Sequence, residues 1–412
     1  MEICYLTRMA SSPSHDAKKT TAYGKIDNPA LIQRNNFKFK SLSDWSYNIS
    51  VGCKHGCTFC YVPSTSLIKQ ETNLEKTPDL IPREWIDERK NGKHWGDHHW
   101  GEYSFLRAWD EKKFRSSLKK AQKDKDEGKL TPDGNSAIML CSTTDPYQSL
   151  PGPNAAILKT LRENLVRNAL KIILQESDLN VRILTRSPAA KKDFDLYKEL
   201  ASQNRILFGM SLPTFDESLS EIYEPGAPTP EKKFETLQLA VKEGIPVYVA
   251  MAPTLPDEGE KELRETLRRI STLKPVTIFH EPINLRAENL ARIEAKARSK
   301  GRRIKTEVFK TKGRWWEYAF EQFFLVEQLC DELKLPEGVL HQWPDKDLAS
   351  ENGFLRMKKN IAERSLGQGG FTKKLKEEAE NEWKSAYKPW IDYWHDTSKR
   401  ISAWPPQTPK WK

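Results

Sequence analysis

Gly52-Cys53-Lys54-His55-Gly56-Cys57-Thr58-Phe59-Cys60-Tyr61 gathers three of the chain's six cysteines into eight consecutive positions. Soft sulfurs this close together bind metal or oxidise unless the site is used. The two glycines let the backbone turn tightly around whatever is bound. The spacing, C-x3-C-x2-C, leaves one position short of four. A structural zinc site closes with four ligands, usually from two separated pairs, whereas Cys4, Cys141 and Cys330 stand alone and His55 sits inside the loop, where its geometry as a fourth ligand is awkward. An iron–sulfur cube held by three thiolates keeps one iron open to a further ligand. A zinc site and inert buried thiols are the alternatives.

Outward from the loop, the first strand is expected over Trp45 to Ser50, ending at the cysteines. From residue 137 short apolar runs alternate with amphipathic segments. Ala137 to Cys141 is a continuous apolar strand, followed by a helix from about Pro153 with Ile157, Leu158, Leu161 and Leu165 on one side. Strands follow at Val181–Thr185, Arg205–Leu212, Ile245–Ala252 and Val276–His280. Between them Thr229-Pro230-Glu231 opens a helix, with Thr as cap and Pro at the first position. Its buried face is expected at Phe234, Leu237 and Val241, and that of the next helix at Leu263, Leu267 and Ile270. Six strand–helix alternations mean a parallel sheet with helices outside, either open or curled into a barrel.

Residues 62–136 interrupt this pattern and hold a charged run, Asp110 to Lys129, that reads as a solvated helix with Phe114, Leu118 and Ala121 inside. His94 and His98 are four apart, as ligands on one helix face would be, but Gly96 and the surrounding tryptophans favour a packed loop over a second metal. Residues 1–40 are polar, without a period, and read as an irregular arm.

No apolar run approaches the span of a bilayer, and six cysteines without an export signal argue for a reducing compartment. The expectation is a soluble, cytoplasmic protein with no membrane. Net charge is +10, and residues 296–412 supply +7 of it, as 24 Lys/Arg against 17 Asp/Glu. A basic tail suggests an acidic partner, nucleic acid first, although a merely soluble surface explains it equally well.

Cys53, Cys57, Phe59 and Cys60, as C-x3-C-x-aromatic-C, resemble the signature of the radical S-adenosylmethionine (SAM) enzymes. The resemblance implies a partial six-stranded (β/α) barrel, with the cluster on the loop after strand one and the chemistry at the C-terminal strand ends. It implies that Cys53, Cys57 and Cys60 hold a [4Fe–4S] cluster whose open iron binds S-adenosyl-L-methionine. An electron, from a donor such as flavodoxin or ferredoxin, then cleaves the cofactor to a 5′-deoxyadenosyl radical that abstracts hydrogen from a substrate. The domains expected on this basis are the arm at 1–40, the barrel at 41–290 with 62–136 inserted after the cluster loop, and a mostly helical, Trp-rich basic extension at 291–412.

The strand ends narrow the likeness. Thr144-Asp145-Pro146-Tyr147-Gln148, Thr185-Arg186-Ser187, Ser211 to Thr214 and Glu224-Pro225-Gly226-Ala227-Pro228 are similar, in that order, to elements of the spore photoproduct lyase-like group, related to DNA repair photolyases. The group implies that Phe59 and Tyr61 flank the cluster near the adenine. Ser142, Thr143 and Asp145 would receive the amino group of S-adenosylmethionine, Arg186 would pair with its carboxylate, and Ser211 would reach the ribose. Each also has a plainer reading, turn capping for Ser and Asp and a surface ion pair for Arg186. Glu224, in a rigid turn, is read as capping a helix or pairing with a nearby lysine. Cys141, ending strand two, matches the place of a hydrogen-donating cysteine in the lyase, and otherwise is small core filling.

Beyond residue 290 a helix from Arg314 carries Trp315, Trp316, Phe320, Phe323, Phe324 and Leu329 on more than one side, so it is expected between layers. Lysines then interleave with Trp383, Tyr387, Trp390, Tyr393, Trp394, Trp404 and Trp411, a pattern that suits either base stacking or stapling of the tail onto the barrel. The functional expectation is a radical SAM enzyme acting on nucleic acid, as lesion repair or modification. Its rivals are a radical enzyme modifying a peptide or protein partner, and a metal-stabilised nucleic-acid-binding protein without catalysis.

Overall fold

The computed structural model describes residues 20–35, 43–64, 69–131, 134–286 and 288–396. In chain order its strands are β1 (Ala22–Pro29), β2 (Ile32–Arg34), β3 (Trp45–Tyr47), β4 (Ser50–Gly52), β5 (Tyr103–Ala108), β6 (Ala137–Leu140), β7 (Asn180–Thr185), β8 (Ile206–Ser211), β9 (Val247–Thr254), β10 (Thr277–Pro282) and β11 (Leu340–Gln342). The main sheet runs β11-β10-β9-β8-β7-β6-β3-β2, parallel throughout except where β2 pairs antiparallel with β3. The fold is a mixed α/β partial barrel followed by a helical C-terminal region. Its strands are continuous apolar runs because helices cover the outside while side chains fill the inside. Ile138, Val181, Ile183, Phe208, Val249 and Ile278 are fully buried.

The outer helices form as their periodicity predicts. Residues Glu111–Asp126 bury Phe114, Leu118 and Ala121. Pro230–Lys242 starts at the Thr229 cap, and Glu260–Ser271 buries Leu263, Leu267 and Ile270. Two expected core positions are wrong by one step of the helix. Ile157 is 70% exposed because the buried stripe of Ala155–Glu176 starts at Leu158 and continues through Leu165, Val166 and Ala169; likewise Val241 faces out while Ala240 is buried. A one-residue offset turns a side chain by about 100°, enough to move it from core to solvent.

Three further departures concern the rim. The expected strand over Trp45–Ser50 is split, since β3 belongs to the main sheet while β4 joins β5 and β1 in a separate three-stranded sheet. Gly52 follows this departure at φ +88°. The arm is not irregular over residues 22–34, where β1 and β2 form. With only Ala22 and Ile26 of β1 buried, its pairing rests on main-chain hydrogen bonds to β5 that no hydrophobic period announces. The sheet also gains β11, a short Leu-His-Gln strand beside β10.

The helix Lys312–Glu332 lies between layers. Val326, Leu329 and Cys330 join the barrel core, while Trp315, Trp316, Phe320 and Phe323 belong to a second core with Phe354, Trp383 and Ile391. A third cluster, with Trp85, Trp95, Trp100 and Tyr103, backs Cys53. Trp390 packs on Phe323 and Phe324 at ring distances of 5.3 and 5.2 Å and donates to Glu327. Tail lysines 373, 374, 376 and 388 each pair with a carboxylate four residues on. Trp404 and Trp411 lie outside the described residues.

Candidate active site

The cysteine loop is held by main-chain bonds from three directions. Thr58 N–H donates to the Tyr223 carbonyl at 2.9 Å, and Lys54 N–H donates to Gln148 Oε1 at 2.7 Å. Gly226 N–H donates to the His55 carbonyl at 2.9 Å, with His55 Nδ1 3.1 Å from the Gly226 carbonyl. From the far side Asn289 donates to the Phe59 carbonyl, and the Arg292 guanidinium to the carbonyls of Thr58 and Cys60. Gly226 explains the Glu-Pro-Gly-Ala-Pro turn: a Cβ there would stand 2.4 Å from the Lys54 oxygen. Gly56, at φ +54°, lies so close to Gly101 that its Cβ would meet Gly101 Cα at 2.8 Å.

Cys53, Cys57 and Cys60 line one wall of a cavity of about 680 Å³ at the C-terminal ends of the strands. Phe59, Tyr61, Cys141, Ser142, Thr143, Asp145, Arg186 and Ser211 line it too, so every expected site residue meets at one place. The opposite rim carries Asn284, Arg286, Trp343, Asp345 and His395. Tyr61 is 41% exposed. Ser142 Oγ accepts from Asn48, and Thr143 N–H donates to Asn48 Oδ1, so one asparagine sets both. Ser211 Oγ is buried and has no hydrogen-bond partner among the described residues.

Asp145 is already engaged by the protein, as the turn-capping reading expects. Its carboxylate accepts from the N–H groups of Tyr147 and Arg186 at 2.8 and 2.7 Å and from Thr185 Oγ1, and stands 3.1 Å from His55 Nε2. Burial would raise its pKa, but His55 and these N–H donors outweigh burial and hold it at about 2. An acceptor so fully engaged braces the cysteine loop against strands β6 and β7.

Arg186 donates from Nε to Glu224 Oε1 at 2.5 Å, and Lys233 donates to Glu224 Oε2 at 2.5 Å. Glu224 and Lys233 are fully buried. The expected lysine partner of Glu224 is present, and Arg186 is no surface pair. Its guanidinium lies 5.7 Å from the Phe59 ring, and its terminal nitrogens have no hydrogen-bond partner among the described residues. Burial pushes the Cys53 thiol up to about 12, with Asp145 adding to the shift, and also raises Cys57 and Cys60; Arg186 pulls all three down. Cys141, at φ +64°, takes a left-handed backbone conformation that a non-glycine residue rarely adopts. Its thiol reaches the Tyr47 carbonyl at 3.5 Å and is pushed above the usual range by burial.

Residues 155–270 match the family model described as "Radical SAM superfamily". The match makes this part of the chain similar to the radical SAM superfamily and does not reach the cysteine loop. An uncharacterized protein of Acidianus two-tailed virus, ORF301, is 27% identical over 262 residues, which cover 62% of this chain and 73% of that protein. An uncharacterized protein of Methanocaldococcus jannaschii, MJ0683, is 34% identical over 125 residues, covering 30% of this chain and 44% of the other. Among solved structures, spore photoproduct lyase complexed with dinucleoside spore photoproduct aligns with a TM-score of 0.48 at 14% identity, over 75% of this chain and 79% of that one.

The superfamily that residues 155–270 resemble uses a [4Fe–4S] cluster and S-adenosylmethionine, and the donor set here would suit both. The three soft sulfurs face one cavity and carry raised pKa values, so a metal would have to displace their protons, which is how thiolate sites couple binding to proton release. The free Ser211 hydroxyl and the Arg186 terminal nitrogens offer polar contacts for an amino-acid and ribose moiety. Sequence reading gave no bracing role to His55, Gln148, Asn289 and Arg292. His55 and Gln148 stand inside the motifs already quoted, whereas Asn289 and Arg292 are single polar residues far from them in sequence.

Proposed function

We propose that the chain is a radical SAM enzyme acting on nucleic acid or a nucleic-acid lesion. The observation that carries the reading is the convergence of three loop cysteines, Arg186, Ser211 and Cys141 on one cavity at the strand ends. When bound at Cys53, Cys57 and Cys60, the cluster supplies the electron that cleaves S-adenosylmethionine, giving methionine and a carbon radical able to abstract hydrogen. Arg186 is positioned by Glu224 through Nε, which leaves two charged N–H edges for the cofactor carboxylate. Ser211 hydrogen-bonds a ribose hydroxyl, while Phe59 and Tyr61 wall the adenine side. Ser142 and Thr143, both fixed by Asn48, take the amino group in place of Asp145.

Cys141 gives a hydrogen atom to the product radical, its S–H bond breaking as the product C–H bond forms, and the thiyl radical left behind is reduced by the external electron donor with uptake of a proton. Its thiol stays protonated through burial and lies in the same cavity, so an S–H bond is available there. The apolar walls, with Phe279 and Trp343 stacked at 4.6 Å, suit a planar base. A cavity of about 680 Å³ is too small for a duplex, so the substrate base enters unstacked.

Anaerobically reconstituted protein should bind about four irons and four sulfides and release 5′-deoxyadenosine on reduction. Single-stranded DNA or RNA should then bind with an affinity that falls steeply with salt. Zinc in place of iron would defeat the enzymatic reading, and salt-independent or absent nucleic-acid binding would defeat the substrate assignment alone.

A further inference from the structure

We propose that Glu88, His98 and His99 form a zinc site that pins the 95–102 turn against the cysteine loop. One ligand atom from each lies within 4.8 Å of the other two. Glu88 sits on the helix Arg83–Lys90, His98 ends the short helix Trp95–His98, and His99 follows it. Glu88 Oε2 is 3.1 Å from His99 Nε2 and 4.0 Å from His98 Nε2. Two imidazole nitrogens and one carboxylate oxygen are a zinc ligand set with a fourth position left for water. His98 is half exposed and Glu88 one-third exposed, so water reaches that position.

The surroundings orient the ligands as a metal site requires. His99 Nδ1 is 2.8 Å from Glu102 Oε2, so an Nδ1–H bond to that carboxylate directs the Nε2 lone pair toward Glu88 and His98. A carboxylate on the second nitrogen of a histidine ligand fixes its tautomer and raises its basicity. The His99 ring is further held flat on Trp85, 4.1 Å away and 9° from parallel, and the His98 ring stands perpendicular to it. His94 stands outside this group of ligand atoms, with its Nδ1 2.9 Å from buried Glu71.

Two contacts give the ion a consequence. Gly101 packs directly on Gly56 of the cysteine loop. Asp97 pairs with Arg292, whose guanidinium also holds the Thr58 and Cys60 carbonyls. An ion joining Glu88 to His98 and His99 therefore ties the 83–90 helix to the turn that meets the cysteine loop at Gly101 and, by way of Arg292, at Asp97.

The test uses the full chain, anaerobic and cluster-loaded, stripped of adventitious metal and titrated with zinc by calorimetry, with zinc and iron counted by elemental analysis. About one zinc per chain should bind beyond the cluster iron, and His98→Ala or His99→Ala should weaken it at least tenfold. Glu102→Gln should weaken it about tenfold through the lost orientation of His99. His94→Ala should bind as the wild type does. Zinc should also raise the Tm of the wild type and not of His98→Ala, because only a ligand bound to the folded state stabilises it. Absence of zinc uptake by the wild type, or uptake and Tm gain unchanged in the His98→Ala/His99→Ala double variant at normal iron content, overturns the assignment.

Discussion

Glu224→Ala removes the carboxylate between two cations, Arg186 and the fully buried Lys233. Burial raises the Glu224 pKa, but Lys233 and then Arg186 outweigh it and hold the group ionised. Breaking a buried pair from one side leaves the other charge uncompensated, at a cost of about 3–5 kcal/mol. Lys233 has no water to turn to, so this variant should lie near the top of that range, whereas exposed pairs such as Lys373–Glu377 are worth less than about 1 kcal/mol. Urea unfolding of the cluster-free chain under reducing, anaerobic conditions measures the loss as a change in midpoint at constant slope. The double variant Glu224→Leu/Lys233→Met should recover much of it, with a coupling energy above about 2 kcal/mol against the single variants Glu224→Leu and Lys233→Met, because the fully buried charge of Lys233 is no longer stranded, while Arg186, left without its carboxylate, is one-fifth exposed and still meets solvent. A cost of Glu224→Ala below about 1 kcal/mol, or strictly additive single and double variants, would refute the buried triad.

If Arg186 clamps the cofactor carboxylate as proposed, Arg186→Ala should weaken S-adenosylmethionine binding by calorimetry while iron content stays normal, because Arg186 lines the cavity without being one of the three sulfur ligands; an unchanged affinity removes it from the binding site. Asp145 has an ordinary pKa of 3.8 and is held at about 2 in the fold, so its stabilising contribution is full above about pH 4 and lost as pH falls toward 2. At 1.36 kcal/mol per pKa unit the stability gap between wild type and Asp145→Asn should narrow by about 2 kcal/mol across that window, and a pH-independent gap would contradict the ionised brace. Gly226→Ala should lower cluster loading and cost on the order of 1–3 kcal/mol, since its Cβ meets the Lys54 and His55 oxygens, which are backbone and cannot swing away. Trp390→Ala should cost about 2–4 kcal/mol in stability with single-strand affinity unchanged, because the ring packs on Phe323 and Phe324; wild-type stability with weakened binding would return the ring to the nucleic-acid interface.

What was legible in the sequence divides according to whether one residue's surroundings come from its own segment. β6 to β10 could be read because each is a mostly apolar run buried on both faces, a signal carried entirely within four to eight positions. The three-residue β11 could not, since Leu340-His341-Gln342 acquires strand geometry only beside β10, with Gln342 accepting from His280 and donating to the Phe323 carbonyl. The same division runs through the site. Polar residues at strand ends were enough to bring Asp145, Arg186 and Ser211 to one cavity, but not to assign their work, because that depends on how many of their hydrogen-bonding positions the protein already uses. Ser211 Oγ has no partner, and Arg186 keeps its terminal nitrogens free among the described residues. Asp145, three residues beyond Ser142, has both carboxylate oxygens filled by Tyr147, Thr185, Arg186 and His55, partners up to ninety residues away that no local spacing reveals. Gly226 follows the same logic from the side of space rather than hydrogen bonds: the turn around it is readable, while the reason for glycine is the Lys54 carbonyl on the far side of the chain. A residue's freedom to meet a ligand is thus what its neighbours leave unused, and at this site the unused capacity lies on Ser211 and Arg186, which makes those two side chains the sharper probes of cofactor binding than the better-conforming motif residue Asp145.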